Sequence, residues 1–324
     1  MCMKLFNLRN LKKLFKRPDS LHTIMAIFTG IALTFAVALA AVLILCIKPE
    51  PPNVHLTSDD YLNIAQIVAY SLALVTGASA AAIAYRAHRI KEVDATNKRF
   101  NEAVRSLNTP DKNDEQGKII EENISIRIEG VFALQRLAEN APSGKERQRV
   151  VDVLCQYLRY HRNVDKFKDN PDTPLKDDEK AIIKALVELS QTYKSKMRID
   201  LSFTNLYFVD FSDAYLEMAN FSGAHCKWAI FMNAHCKRAF FEETHCEDAL
   251  FYGAHCENTW FCRTHCEDVS FRRASCKNAK FMEVYCQNTD FTGATQDGAN
   301  FWEAKDLDKA IGLDHSKIIL DSPF

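Results

Sequence analysis

The chain has 324 residues, of which 47% are hydrophobic, and its formal net charge is −1, which is the composition of an ordinary folded cellular protein. The charge is unevenly spread, because residues 199–305 carry 15 acidic and 9 basic side chains, a net charge of −6. Phosphate affinity requires a basic surface. We therefore expect no direct nucleic-acid binding by this part of the chain.

Two long uncharged segments lie near the N-terminus. Residues 21–47 and residues 61–85 contain no Lys, Arg, Asp or Glu, and each exceeds the roughly 20 residues that cross a bilayer. The first segment is too long for a cleaved signal peptide. The sequence therefore predicts transmembrane helices at 21–47 and 61–85, joined by a short extracytoplasmic loop at 48–60, with the lipid bilayer as a partner.

Basic residues set the predicted orientation of these two spans. The N-terminal segment 1–20 carries six basic side chains and three more follow the second span at 86–91, whereas the loop 48–60 has one. Loops rich in Lys and Arg stay on the cytoplasmic side of a membrane. We therefore expect a multi-pass protein with both termini cytoplasmic, in a reducing compartment that favours free thiols.

Small residues recur at four-residue spacing in the second span. They offer a face on which another helix can pack closely. That helix is either the first span or a second copy of the chain, so a homo-oligomer is an open alternative. The small residues are Ala69, Ala73, Gly77 and Ala81.

Residues 86–197 have apolar side chains at helical spacing and are predicted to form a small cytoplasmic α-helical module. The second span is expected to continue as a helix to Leu107. Three further helices follow, the last at 181–193 with Asp177 as its cap. Three arginines of this module are read as ion-pair or helix-face residues, with an anion site as the alternative: Arg127, Arg136 and Arg159.

The last third of the chain follows a five-residue period. From Leu201 to Phe301 nearly every fifth residue is large or carries a thiol, and a small residue, usually Ala, stands two positions earlier. A period of five fits neither a helix nor a simple strand, so these residues face one core only if the chain turns a corner every five residues. The pattern predicts a solenoid over residues 198–305, with residues 306–324 as a C-terminal cap or tail. The expected core residues are Phe221, Cys226, Phe231, Cys236, Phe241, Cys246, Phe251, Cys256, Phe261, Cys266, Phe271, Cys276, Phe281, Cys286, Phe291 and Phe301.

The segment Ala219-Asn220-Phe221-Ser222-Gly223 resembles the motif of the pentapeptide-repeat family, a small residue, a polar residue, Leu or Phe, and two variable positions. The resemblance implies a right-handed, quadrilateral β-helix with four pentapeptides in each coil. The stretch 127–134 is similar to a helical module that precedes the repeat in many bacterial two-span pentapeptide-repeat proteins. The fold class is then a membrane helical hairpin, a small α-helical module and a right-handed quadrilateral β-helix, at the bacterial inner (cytoplasmic) membrane.

Cysteine alternates with Phe at the inward position from Cys226 to Cys286. A free Cys is a small apolar filler opposite a large ring, and its ten-residue spacing provides no local zinc chelate. The thiols are therefore expected to be structural, with a thiol or metal sensor as an alternative. Cys262 lies out of phase and is expected to face outward.

Histidine precedes five of these cysteines, so the imidazoles are expected to point outward. Imidazole is a ligand for zinc, copper and nickel. His225, His245 and His265 should stack in one column and are the weak candidates for a metal site. The alternative is a solvated ladder of histidines.

No catalytic constellation is present in the sequence. It has no Gly-rich phosphate loop, no nucleophile elbow and no HExxH helix. We therefore expect a non-enzymatic protein without a cofactor, a membrane-anchored scaffold that presents a rigid cytoplasmic rod to an unknown protein partner. The resemblance adds an alternative, because some pentapeptide-repeat proteins mimic DNA and bind a type II topoisomerase. Basic pairs at Lys237-Arg238 and Arg272-Arg273 interrupt the acidic surface and disfavour that role.

Overall fold

The computed structural model describes residues 58–113, 119–194 and 197–321. The chain divides into two compact units, Met1–Ala95 and Thr96–Phe324. Helix α1 covers Ser58–Leu107. The first predicted transmembrane span, at 21–47, lies outside the described residues.

Within the described residues, no helix is long and apolar enough to cross a membrane. The second predicted span, at 61–85, falls within α1. The side chains of most of its large apolar residues, such as Ile64 and Val68, lie outside the described ones. The described part of the structure therefore contains no membrane helical hairpin, and that part of the predicted fold class is not found in it.

A small helical module follows the first unit. Ser143 caps the helix at Gly144–His161, α3, by accepting a hydrogen bond from the backbone N–H of Glu146. The backbone N–H of Lys176 donates to Glu179, at the start of the helix Asp177–Tyr193, α4. Asp177 is therefore the first helical residue and not the cap that the sequence predicts. The elements after α1 are β1 at Lys112–Asn113, β2 at Ile119–Glu121, α2 at Ile124–Glu139, α3 at Gly144–His161, a 3-10 turn at Val164–Phe167 and α4 at Asp177–Tyr193.

The apolar core of the module is built where α2, α3 and α4 meet the end of α1. Gly130 permits the closest approach, because a Cβ on it would lie 2.5 Å from the backbone nitrogen of Leu107 and 2.9 Å from the carbonyl oxygen of Ala103. Any side chain at this position would push α1 and α2 apart. The fully buried residues of this core include Leu107, Val131, Leu134, Leu154, Leu158, Ile182 and Leu186.

The repeat part of the chain is a β-helix. Parallel bridges join residues 20 apart, from Asp200 with Asn220 to Tyr285 with Lys305, so that each coil has four five-residue sides. The corner residue of most sides has a φ of about +53° to +72°, the left-handed region that glycine adopts freely. Each corner therefore turns the chain toward the next side, as the five-residue period predicts.

The interior of the β-helix is an interlocked column of aromatic rings. From Phe211 to Phe301, rings 20 residues apart stack at 4.6–5.3 Å between centroids. Rings 10 residues apart meet edge to face at 5.2–5.6 Å, which is a favoured aromatic geometry. The seven in-phase cysteines from Cys226 to Cys286 are buried on the other two sides and are unpaired. All sixteen repeat residues named from the sequence are at most 1% exposed.

Both ends of the β-helix are covered. At the start, the backbone N–H of Asn205 donates to the carbonyl of Arg162, at the end of α3, over 2.7 Å. At the other end, the buried Gln296 stands where a cysteine would continue the column. Its Nε2 donates to the carbonyl of Gly312 and its Oε1 accepts from the backbone N–H of Asp314. Residues 306–321 thus close the last coil.

Candidate functional site

One outward column of the β-helix carries the three histidines that the sequence singles out. His225 forms a parallel bridge with His245, and His245 forms one with His265. The rings of His245 and His265 are stacked, with centroids 4.6 Å apart and an angle of 6° between them. The ring of His225 meets that of His245 at 72°. The column therefore brings three imidazoles side by side, with the His225 ring tilted against the other two.

Two carboxylates lie beside this column. Oε1 of Glu247 is 3.0 Å from Nδ1 of His245, and Oε1 of Glu267 is 3.3 Å from Nδ1 of His265. One potential ligand atom from each of His245, Glu247 and His265 lies within 4.8 Å of the others. His225 is not part of this group. Sequence reasoning missed Glu247, although the repeated His-Cys-Glu triplet at 245–247 and 265–267 was an available signal.

The carboxylate changes the proton affinity of the column. The hydrogen bond to Glu247 raises the pKa of His245 above its ordinary value. Burial, together with the nearby charge of His245, lowers the pKa of His225. Burial acts to raise the pKa of Glu247, but the hydrogen bond with His245, a backbone hydrogen bond and the charges of His245 and His265 together outweigh it, so that this pKa lies below its ordinary value. His245 and Glu247 therefore form a coupled acid–base pair, and His225 favours its neutral form.

The other histidine column gives a useful contrast. His235 and His255 are stacked at 4.6 Å, but the next position along the column is Ser275. The His255 Nδ1 to Glu257 Oε1 distance is 3.9 Å, too long for a hydrogen bond. The 20-residue register also places Lys237 and Lys277 on the coils next to Glu257. This column has similar residue types without the close cluster.

The thiols of the β-helix are protected by the fold. Burial raises the pKa of Cys246, Cys256, Cys266 and Cys276. Thiolate character is what makes a cysteine reactive. These buried thiols are therefore expected to be unreactive and to serve in packing.

Cys262, which the sequence places at an outward position, is nevertheless buried. This residue is only 5% exposed, and burial followed by the charge of Glu242 raises its pKa to about 11. The 20-residue register stacks Cys262 between the longer side chains of Glu242 and Met282. A short side chain on an outward position is therefore covered by its neighbours, an effect that the five-residue phase does not include.

A buried ionic network fills the helical module. The guanidinium of Arg127 donates to Asp178 and to Asp111, and the hydroxyl of Tyr157 also donates to Asp178 over 2.9 Å. The Asp178 side chain is 1% exposed. The network borders a cavity of about 600 Å³ lined also by His161, and its positive and negative side chains offset each other. Of the three arginines considered from the sequence, Arg127 and Arg159 pair with carboxylates, which fits the ion-pair reading.

Bulky apolar side chains occupy several corners near the start of the β-helix. Phe203, Phe208, Met218 and Trp228 have φ values between +53° and +61° and are 44–62% exposed. The corners of later coils are mostly Asn, Asp, Gly or charged residues. Sequence reasoning missed these exposed apolar corners because it assigned the corner positions to solvent without asking which residues suit a left-handed turn.

Comparison with solved structures gives matches of low sequence identity to part of this chain. A pentapeptide repeat protein from the thylakoid lumen of Arabidopsis thaliana is 23% identical, with 34% of this chain and 69% of that chain covered and a TM-score of 0.25. QnrB1, a plasmid-mediated fluoroquinolone resistance protein, is 18% identical over 39% of this chain and 83% of its own, with a TM-score of 0.26. HetL of Nostoc sp. strain PCC 7120, involved in heterocyst differentiation regulation, is 16% identical over 36% and 74%, with a TM-score of 0.16. These TM-scores are too low to support an argument about function.

Comparison with protein families gives the repeat its identity. No curated protein matches the chain. The family of pentapeptide repeats matches residues 199–235, 229–265, 249–285 and 263–295, in eight copies. This range coincides with the β-helix and with the five-residue period. The repeat part of the chain is therefore a pentapeptide-repeat β-helix.

Proposed function

We propose that this protein is a non-enzymatic interaction scaffold whose β-helix binds a protein partner through its first coils. The supporting observation is the set of exposed apolar corners, Phe203, Phe208, Met218 and Trp228. A non-glycine residue in the left-handed conformation costs about 1–2 kcal/mol. Asn, Asp and Gly tolerate these corners better, and the later coils use them together with Arg and Glu. Folding alone gives no reason to keep large apolar residues here, whereas binding does.

The surroundings of Phe208 fit a protein partner. Its ring centroid is 6.1 Å from that of Tyr207. Both residues line a groove of about 640 Å³ between α4 and the first coil, together with Leu175, Ile183 and Val187. Aromatic side chains beside an apolar groove are typical anchors of protein interfaces. Lys180, Lys184, Glu188 and Asp210 line the same groove with polar groups.

Phe203 shows that one of these corners shapes its neighbours. A Cβ on Gly223, the corner of the next coil, would lie 2.5 Å from the Phe203 ring. Gly223 therefore leaves room for that ring to lie across the coil. The position of the Phe203 ring therefore depends on Gly223 of the next coil. The exposed apolar surface at this corner is formed by both coils together.

The test is a double variant, Phe208→Asn with Trp228→Asn. Asn suits a left-handed corner, so the thermal midpoint should stay the same or rise. A photo-crosslinker at Tyr207 should capture a defined partner in cells for the parent chain and lose it in the double variant. The matched control is Leu250→Asn, an exposed apolar residue on a straight side of the β-helix, which should keep the crosslink.

Two results would overturn the proposal. One is a double variant with unchanged crosslinks, and the other is a double variant with a markedly lower thermal midpoint, which would make the apolar corners structural. Dose-dependent inhibition of supercoiling when the purified chain is added to gyrase would instead favour the DNA-mimic regulator of a type II topoisomerase.

We also propose that residues 21–47 and 61–85 hold this scaffold at a bacterial inner membrane, with both termini in the cytoplasm. The support is the absence of charged residues in both segments and the excess of basic residues at 1–20 and 86–91. A reporter active only in the cytoplasm should work when fused after Phe324 and fail when inserted within 49–59. The reverse result would overturn the orientation.

A further inference from the structure

We propose that His245, Glu247 and His265 form a zinc site on the outer surface of the β-helix. Each residue offers one ligand atom, and the three atoms already lie within 4.8 Å of one another. They come from two successive coils, so a bound ion would join one coil to the next. All three side chains are partly exposed, at 28–43%, which leaves the ion a path from solvent.

The spacing of the coils suits a tetrahedral ion. Zinc binds nitrogen and oxygen at about 2.0–2.2 Å, which puts tetrahedral ligand atoms about 3.4 Å apart. The His245–Glu247 pair, at 3.0 Å, would open slightly to this distance. The rings of His245 and His265, with centroids 4.6 Å apart, would tilt toward each other. The 72° angle between His225 and His245 shows that this column accommodates a tilted ring.

The donor set selects zinc over the common hard cations. Two imidazole nitrogens and one carboxylate oxygen are ligands for zinc, whereas calcium and magnesium prefer oxygen. Three protein ligands leave a fourth position for water. The site is therefore of the kind that exchanges its metal and holds a ligand from solvent, unlike a closed four-ligand site.

A second carboxylate supports the site. Glu267 lies two residues after His265, as Glu247 does after His245, and its Oε1 is 3.3 Å from the His265 Nδ1. A carboxylate on one ring nitrogen orients a metal-bound histidine and increases its basicity. Oε2 of Glu267 is buried, and among the described residues it has no hydrogen-bond partner. A cation next to this carboxylate would offset the cost of that buried oxygen.

The surrounding charges allow a cation here and oppose it on the other column. His245 and His265 line a surface groove of about 340 Å³ with Glu243, Arg263, Glu283, Tyr285 and Lys305. The guanidinium of Arg263 is 2.7 Å from Glu243, so these two charges largely offset each other.

On the other column the charges differ. The register gives Glu257 lysine neighbours at 237 and 277 on the adjacent coils, whereas Glu247 has Lys227 on one side and Glu267 on the other. The histidine pair at His235 and His255 therefore provides a matched control with similar residues and a less favourable field.

The test is zinc binding by the full-length chain purified in a mild detergent. Titration against a chromophoric zinc chelator should show one zinc ion per chain. His265→Ala and Glu247→Gln should each weaken the affinity at least about tenfold, since replacing groups of a metal site costs factors of this size. His255→Ala should leave the affinity unchanged. Circular dichroism of each variant checks that the β-helix remains folded.

X-ray absorption at the zinc edge separates this site from the many thiols of the protein. Nitrogen and oxygen scatterers at about 2.0–2.2 Å are expected, without sulfur at about 2.3 Å. Sulfur in the first coordination shell would overturn the proposal. Equal weakening by His255→Ala, or failure of the full-length chain to bind zinc in the titration, would overturn it as well.

Discussion

The helical module and the β-helix bury polar groups in opposite ways. In the module, Arg127 and Asp178 are both buried and are joined by a direct ion pair. Inside the β-helix the side chains are mostly Phe, Leu, Cys and small residues, and the hydroxyls of buried threonines, such as Thr244 and Thr289, donate to carbonyls of the preceding coil. The module thus holds charges that must stay paired, whereas the β-helix has an interior with no place for a charge.

This difference follows from how each region repeats. A β-helix side has similar neighbours in every coil, so the same apolar residue type recurs at the same position of most coils. The helices of the module meet once and at irregular angles, and specific ion pairs define which surfaces belong together. A substitution that leaves a buried charge unpaired should therefore destabilise either region strongly. In the β-helix the cause is desolvation of a new charge, and in the module it is the loss of an existing partner.

The largest effect is expected inside the tube. Phe251→Asp places a carboxylate among stacked rings, where Phe251 is fully buried, and should cost at least several kcal/mol because the charge has no partner. Tyr252→Asp is the control, since Tyr252 lies outside and its hydroxyl accepts a hydrogen bond from Arg273. Chemical denaturation of both variants measures the difference. Similar losses of stability in the two variants would show that position 251 does not face the core and position 252 does not face solvent.

A smaller loss is expected in the module. Removing one partner of a buried ion pair costs about 3–5 kcal/mol, so Arg127→Met and Asp178→Leu should each destabilise the chain by this amount. The double variant should lose less than the sum of the two, because neither Arg127 nor Asp178 is then left buried without the other. Arg136→Met, at an exposed position of α2, is the control. Additive losses in the double variant would contradict the description of a paired network.

The rates of thiol labelling compare a cysteine at an outward position of the coil with cysteines at inward positions. In a variant with Ser at positions 2 and 46, which lie outside the described residues, every remaining cysteine is buried. We expect Cys262 to react with a maleimide as slowly as Cys246, since burial raises the pKa of both thiols. Unfolding in urea should speed the reaction of all of them at least about tenfold. Fast labelling of Cys262 in the folded chain would show that Glu242 and Met282 do not cover it.

The smallest effect concerns the surface of the β-helix. His245 has a pKa raised above its unfolded value of about 6.5. Its contribution to stability is therefore complete below pH 6.5 and is lost as the pH rises through the folded pKa. With a chelator present, the parent chain should lose more stability than Glu247→Gln between pH 6 and pH 8. An equal or smaller loss in the parent would contradict the Glu247 hydrogen bond.

The sequence predicted the repeat better than the surfaces that could serve function. The five-residue period places Phe251 and Cys246 inside without knowledge of any contact, because each coil repeats the environment of the last. It does not place Cys262, whose burial depends on the lengths of two side chains in other coils. The pairing of Arg127 with Asp178 brings together residues 51 positions apart in the chain, and no local pattern encodes such a contact.

The candidate zinc site illustrates the same limit. The sequence indicated that His225, His245 and His265 would form a column, and the column is present. The ligand group contains Glu247 in place of His225, because side-chain direction decides which atoms converge. Period and register predict neighbours, but the distances between ligand atoms depend on rotamers.

Gln296 marks the position at which the β-helix ends. Its amide closes the column by binding the backbone of Gly312 and Asp314, so the final coil presents a finished surface at that position of the column. A deletion or duplication of 20 residues would keep every ring stack and both end contacts in phase, whereas a change of five would rotate the ends by one side. A change that keeps the relative orientation of the two covered ends therefore alters their separation in whole coils of about 4.8 Å.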